Sequence, residues 1–282
     1  MERIMKNNNR EKVSTGIKYI PLVAFTVLCL YPIIWLFLNS FKTGNELFDN
    51  PWGLPSSFSL ENYIYAFEVG NIGRYFINSV IVTVTAVVIG VLLSSMIAYA
   101  IARMKWKLSK ATMYLFLLGM MIPAYATVIP LFSMFNKLGL LNTYASVIIP
   151  HVAGAFPLAV FILTGFLSTI PKDIEEAAVM DGCGIFRIFF RIILPISKSS
   201  VVTVAVIVFI NIWNDLLLPQ IFLTDNSKMT LPVGLTAFQG QYMTNYVGLI
   251  AAIVITIIPS IIVYILLHKN IMEGMVSGAV KG

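Results

Sequence analysis

The sequence predicts an all-α membrane protein, a polytopic bundle of six transmembrane helices. Three observations carry that expectation. Of the 282 residues, 58% are hydrophobic and 11% are charged, whereas soluble domains carry roughly 25% charged residues. The mean hydropathy is +0.86. The charges are also segregated. No Asp, Glu, Lys or Arg lies between Lys18 and Lys42, Arg74 and Arg103, Lys110 and Lys137, Lys137 and Lys172, or Lys228 and Lys269. A hydrocarbon core ~30 Å thick takes ~20 helical residues, and each of these runs is long enough. Lipid offers no partner to backbone N–H and C=O groups, so the runs should be helices.

The elements follow in order. Residues 1–18 form a polar, basic tail with Arg3, Lys6, Arg10, Lys12 and Lys18. The first span covers about 19–41 and lacks the short apolar core and small-residue cleavage site of a signal peptide. Pro51, Trp52 and Pro55 break regular structure in the loop that follows. The second span covers about 74–102 and leads into a basic connector, Arg103, Lys105, Lys107 and Lys110. A third span at about 110–136 contains Pro123 and Pro130, and a fourth at about 143–168 contains Pro150 and Pro157. Membrane helices tolerate prolines as kinks. A polar segment, 169–198, separates these from a fifth span at about 199–223 and a sixth at about 245–268. Residues 269–282 form a tail. The membrane domain is thus 19–268.

Lys and Arg set the orientation. With the N-terminus inside, the cytoplasmic side holds Arg3, Lys6, Arg10, Lys12, Lys18, Arg103, Lys105, Lys107, Lys110, Lys172, Arg187, Arg191, Lys198, Lys269 and Lys281. The outer side holds only Lys42, Arg74, Lys137 and Lys228. This positive-inside bias predicts a multi-pass protein of the inner (cytoplasmic) membrane with both termini cytoplasmic. It also accounts for the net charge of +6 without nucleic acid, because the basic residues are split among the connectors. Cys29 falls in a span and Cys183 in a cytosolic loop, and neither fits a disulfide framework. Both read as core residues.

The segment 169–198 is the most informative. Pro171 suits the first turn of a helix, and Asp173, Glu175 and Glu176 suit its positive end. Gly182 is placed to end that helix in the left-handed conformation. A second amphipathic stretch runs from Ile185 to Leu194. Ile185, Ile188, Phe189 and Ile192 share one face, Arg187 and Arg191 the other, and Pro195 ends the pattern. Two amphipathic helices in a cytosolic loop read as a docking surface or as a pair lying on lipid headgroups.

Glu176-Ala177-Ala178, then Gly182, then Ile192 and Leu194-Pro195, at this spacing, resemble the EAA motif of ATP-binding-cassette importer permeases. Ser40-Phe41-Lys42, Glu61-Asn62-Tyr63, Trp213-Asn214-Asp215, Thr230 to Leu235 and the ending Gly278 to Gly282 are similar to the carbohydrate branch, in particular to the smaller maltose-type subunit. The resemblance implies a type I importer fold in which the EAA loop is a coupling helix seated in a cleft of an ATPase subunit. Glu176 would face a basic partner residue, and Ala177 and Ala178 would permit close approach. The tail, with Ser277, Gly278, Lys281 and Gly282, would reach the ATPase interface. The implied partners are a second permease chain forming a heterodimer, two ATP-binding subunits and an extracytoplasmic sugar-binding protein, besides membrane lipid. The implied cargo is a di- or oligosaccharide.

The chain has no G-x-x-x-x-G-K-[ST] phosphate loop. ATP and Mg would therefore sit on the partner ATPase, and this chain would bind no cofactor or metal and catalyse nothing itself. A membrane enzyme would need a recognisable catalytic set, and the only histidines, His151 and His268, supply none. A secondary transporter or channel would need intramembrane charges, which the spans almost lack. Asp215 is the exception. It reads either as a turn residue before Pro219 or, with Asn211, Trp213 and Asn214, as lining for a sugar path. His151 reads as a core histidine.

Overall fold

The computed structural model describes residues 2–236, 238 and 245–279, with side chains from residue 19 to 270 and at Met272. The described chain is helical, and it divides into two compact units, 1–70 with 238–255, and 71–237 with 256–282.

In the first unit, α1 spans Glu2–Asn39, so the basic segment 1–18 continues into the first span with no turn between them. α2 (Gly44–Asp49) and α3 (Glu61–Glu68) follow. Lys42 is fully buried and donates to the carbonyl of Asn50 (2.8 Å). The Asn62 amide bridges the carbonyls of Ser40 (2.9 Å) and Lys42 (2.8 Å), and the hydroxyls of Ser40 and Tyr63 meet at 2.7 Å. The stretches 40–42 and 61–63 thus fold into one cluster. The Ser56 amide donates to Glu46 (2.6 Å), and this bond, above all, holds the Glu46 carboxyl below the usual glutamate range. Leu47 packs with Val247 and Ile250 of α13 (Tyr246–Ala279).

The second unit is built on α4 (Ile72–Arg103) packed along α7 (Tyr144–Leu167). Small residues make this approach possible. A Cβ on Gly90 would lie 3.4 Å from the Cβ of Ala155, and Ala86 and Ala159 are fully buried. Without a hydrophobic drive in lipid, helix pairs depend on such close backbone packing. α10 (Lys198–Trp213) packs on both. Polar bonds secure the segment after it. Asn78 donates to the carbonyls of Ser227 and Met229 (both 2.9 Å) and accepts from Tyr144 Oη (2.8 Å). Ser79 Oγ accepts from the Leu231 amide (2.7 Å) at the start of α12 (Leu231–Thr236).

Among the described residues, four helices are long and apolar enough to cross a membrane: 19–39 within α1, α4, α7 and 246–270 within α13. Neither of the other two expected spans is a single long helix. α5 (Ser109–Gly119) stops, a 3₁₀ turn covers Ala124–Thr127, and α6 (Val128–Lys137) leaves at 92°. Pro123 is the cause, since its ring clashes with the carbonyl four residues back, which belongs to Gly119. Pro130 sits harmlessly in the first turn of α6. The fifth span is shorter than expected: α10 ends at Trp213, and α11 (Leu217–Phe222) starts anew. Cys29 is exposed on α1 and is no core residue, because, among its described side chains, α1 packs within its unit only near its end, through the partly buried Trp35 and Leu36.

Candidate functional site

α8 spans Asp173–Met180. Its end is a Schellman motif: the Gly182 amide donates to Val179 O and the Cys183 amide to Ala178 O, both at 2.9 Å. Gly182 has φ +75°, a conformation cheap only for glycine. The two alanines split. Ala177 is exposed, while Ala178 is buried in the core of its own unit. Close approach from outside is thus open at Ala177 and closed at Ala178. Glu176 is exposed, as is a group of large apolar side chains beside it: Met180 is 87% and Phe186 66% exposed, and Val179 also faces out.

The second amphipathic stretch, Ile185–Ile196, is one helix (α9) with an 80° bend into α10. It differs from expectation in two ways. Pro195 does not end it, and Phe189–Ile193 form a π-helical turn in which the Leu194 amide donates to Phe189 O. That turn holds an extra residue, so the buried stripe is Ile188, Phe189 and Ile193, while Ile185 is exposed and Ile192 half-buried. The turn also suits Pro195, which has no N–H to give to Arg191. Leu194 is half-buried and Pro195 exposed. Arg187 and Arg191 are both exposed.

The third candidate group lies at the break between α10 and α11. Asp215 accepts from the amides of Leu217 (3.2 Å) and Leu218 (3.3 Å), and its Oδ2 lies 3.4 Å from Nε2 of His151 on α7. The pair is close enough to attract but misaligned for a hydrogen bond, so Nε2 is buried without one. His151 is therefore not a satisfied core histidine. Asn211 and Asn214 are exposed, although the Asn214 amide turns back to Ile210 O (2.9 Å). Trp213 is only 2% exposed, stacks on Phe209 and donates to Thr256 O (3.1 Å). It is a packing residue, and its buried ring offers no platform for a sugar. Ser277 and Gly278 fall within α13, their side chains undescribed, and Lys281 and Gly282 lie outside the described residues. Among the described residues no cluster of His, Cys, Asp and Glu could hold a metal.

Sequence reading did not single out Arg103. It closes α4, and its side chain turns inward to Glu175 at 2.9 Å. The only local signal was an arginine at the end of a charge-free run.

The family described as "Binding-protein-dependent transport system inner membrane component" matches residues 86–275. The chain belongs to this family. It is a multi-pass membrane permease subunit of a binding-protein-dependent transporter. A diacetylchitobiose uptake system permease protein of Streptomyces coelicolor is 36% identical over 268 residues, covering 94% of this chain and 89% of the relative. An arabinooligosaccharides transport system permease protein of Halalkalibacterium halodurans is 35% identical and covers 97% of this chain and 100% of the relative. A crystal structure of a bacterial ABC transporter involved in import of the acidic polysaccharide alginate superposes with a TM-score of 0.81 at 23% identity. That match covers 92% of this chain and 97% of the solved one, and it shows that the permease has the fold of an ABC importer subunit.

Proposed function

We propose that this permease imports a di- or oligosaccharide as one half of a heterodimer with a second permease chain. Two ATP-binding subunits dock on the side of α8, both termini lie on that side, and an extracytoplasmic sugar-binding protein delivers cargo to the other. ATP and Mg are held by the ATPase, and this chain needs no cofactor of its own. The tail Ser277 to Gly282 joins the ATPase contact.

The observation that carries this reading is the surface around Glu176. An exposed carboxylate stands beside Ala177, with Met180 and Phe186 also exposed. Large apolar side chains left in water on a loop mark a contact site, and a carboxylate among them selects a basic partner. Oligosaccharide cargo is supported by the relatives, whose names specify diacetylchitobiose and arabinooligosaccharides. Closure of the ATPase pair on ATP would displace α8 and shift the permease between inward and outward access, a two-state equilibrium biased by nucleotide.

The test is reconstitution of the four kinds of subunit in proteoliposomes with labelled oligosaccharides of graded length. Uptake should require ATP and the binding protein together. Uptake driven by an ion gradient without ATP would overturn the reading.

A further inference from the structure

The side chain of Arg103 is only 3% exposed. Its Nε and Nη2 lie 3.0 and 2.9 Å from Oε2 of Glu175. Nη1 donates to the carbonyls of Leu167 (3.3 Å) and Ile170 (2.7 Å), and Nη2 to that of Pro171 (3.2 Å). A guanidinium has five N–H donors in a rigid fork, and the hydrogen bonds it makes here all go to the end of α7, the connection after it and the first turn of α8. Leu167 closes α7, where the helix dipole is negative and a cation is favoured. Glu175 stands in the first turn of α8. One side chain therefore joins the end of α4, the end of α7 and the start of α8. One turn earlier on α4, the Tyr99 ring lies 5.4 Å from that of Phe189 on the far side of the loop.

A buried ion pair contributes little net stability, because desolvation offsets most of the attraction. What four directed hydrogen bonds and the ion pair supply together is fixed geometry. We propose that Arg103 is a positioning residue that makes α8 and the adjoining end of α4 move as one body. Displacement of the docking loop is then passed to the second span instead of being absorbed by the linker 168–172. This rests on α8 being the surface on which the ATPase docks.

The test uses the assembled transporter with Cys29 and Cys183 replaced by Ala and spin labels at Lys105→Cys and Asp173→Cys, both exposed positions. The inter-label distance is read at rest and with ATP, Mg and vanadate trapped on the ATPase. With Arg103 and Glu175 intact, the distance should change by less than about 2 Å, the scale of a helix shift at an interface. In Arg103→Gln and Glu175→Gln it should change by several-fold more or split into two populations, with the ATPase still bound. Arg103→Lys, which keeps a charge for Glu175 but not the fork of donors, should restore little of the native behaviour. An unchanged distance in both Gln variants overturns the proposal, as does separation of the labels on trapping in the intact transporter. Loss of the ATPase in Arg103→Gln would also overturn it, making Arg103 a residue of docking alone. Should Arg103→Gln fail to reach the membrane, the nearly isosteric Glu175→Gln carries the test. Glu176→Lys separates the two readings. If it retains the ATPase, the docking surface is wrong and the strut falls with it. If it sheds the ATPase while Arg103→Gln keeps a constant distance, only the strut is wrong.

Discussion

His151 and Asp215 face each other at 3.4 Å across the boundary between α7 and the break after α10, and Asp215 also caps the first amides of α11. Asp215→Ala removes the cap and the imidazole's partner together. A loss of about 1–2 kcal/mol is expected, read as a lower melting temperature in detergent. Asp215→Asn keeps one acceptor for the cap and should cost less. If Asp215 lines the path, Asp215→Asn should lower sugar uptake more than it lowers stability. Uptake that simply tracks the melting temperature would mark Asp215 as a turn residue.

Gly182 has φ +75° and nothing within 4 Å of where a Cβ would stand. Gly182→Ala therefore tests backbone strain alone, at about 1–2 kcal/mol, and Gly182→Val adds bulk on the docking side. Membrane abundance should survive both, while pull-down of the ATPase should fall further for Val. Gly184, which is also unobstructed and has an ordinary φ of −73°, should accept Ala without effect. Equal loss at the two glycines would contradict the Schellman assignment.

Asn78 satisfies two backbone carbonyls and one hydroxyl from a nearly buried position. Asn78→Leu strands all three, at about 1–3 kcal/mol per buried unsatisfied group. We expect a fall in melting temperature larger than that of any surface substitution, with faster proteolysis between Asp225 and Thr230. A melting temperature within error of the native one would refute this role.

Orientation is testable with thiols. In a Cys29→Ala, Cys183→Ala background, Ser56→Cys should react with an impermeant maleimide in intact cells, and Lys107→Cys should react only after lysis. Both positions are exposed, so accessibility within the chain does not limit either. The reverse pattern would invert the topology. Cys29→Ala should be silent in stability because that side chain is already exposed.

The Glu46 carboxyl is held below the usual glutamate range by the Ser56 amide. A depressed folded pKa stabilises the loop above the unfolded value, and the gain is lost as pH falls through the folded one. The fluorescence of Trp52, in the same loop, should therefore shift on acidification below the usual glutamate range. Glu46→Gln should remove that shift, and a shift that persists would assign it to another group.

The spans were legible where a charge-free run met no breaker, as in α4. The bends were not, because a proline in a membrane helix can be absorbed as a kink or can end the helix, and packing decides which. Pro123 stands at a 92° break between α5 and α6, whereas Pro150 and Pro157 lie inside the unbroken α7. The Gly182 turn was legible because a Schellman end is a local pattern. The π turn was invisible to a reading that assumes 3.6 residues per turn, which is why Ile192 stood where Ile193 belongs. Arg103 was hidden in a basic connector, since its partner Glu175 is 72 residues away and only folding brings them together.

The π turn also bears on how this segment tolerates changes in chain length. An α-helix interrupted by a π turn carries one residue more than an unbroken helix with the same ends. Deleting one residue of Phe189–Ile193 would let the helix close regularly between the same two ends. The residues of α10 that face its packed side, Val204, Val208 and Ile212, would keep their places. A single deletion here should therefore preserve transport, whereas a single deletion early in α10 should turn the residues after it by about 100° and abolish transport.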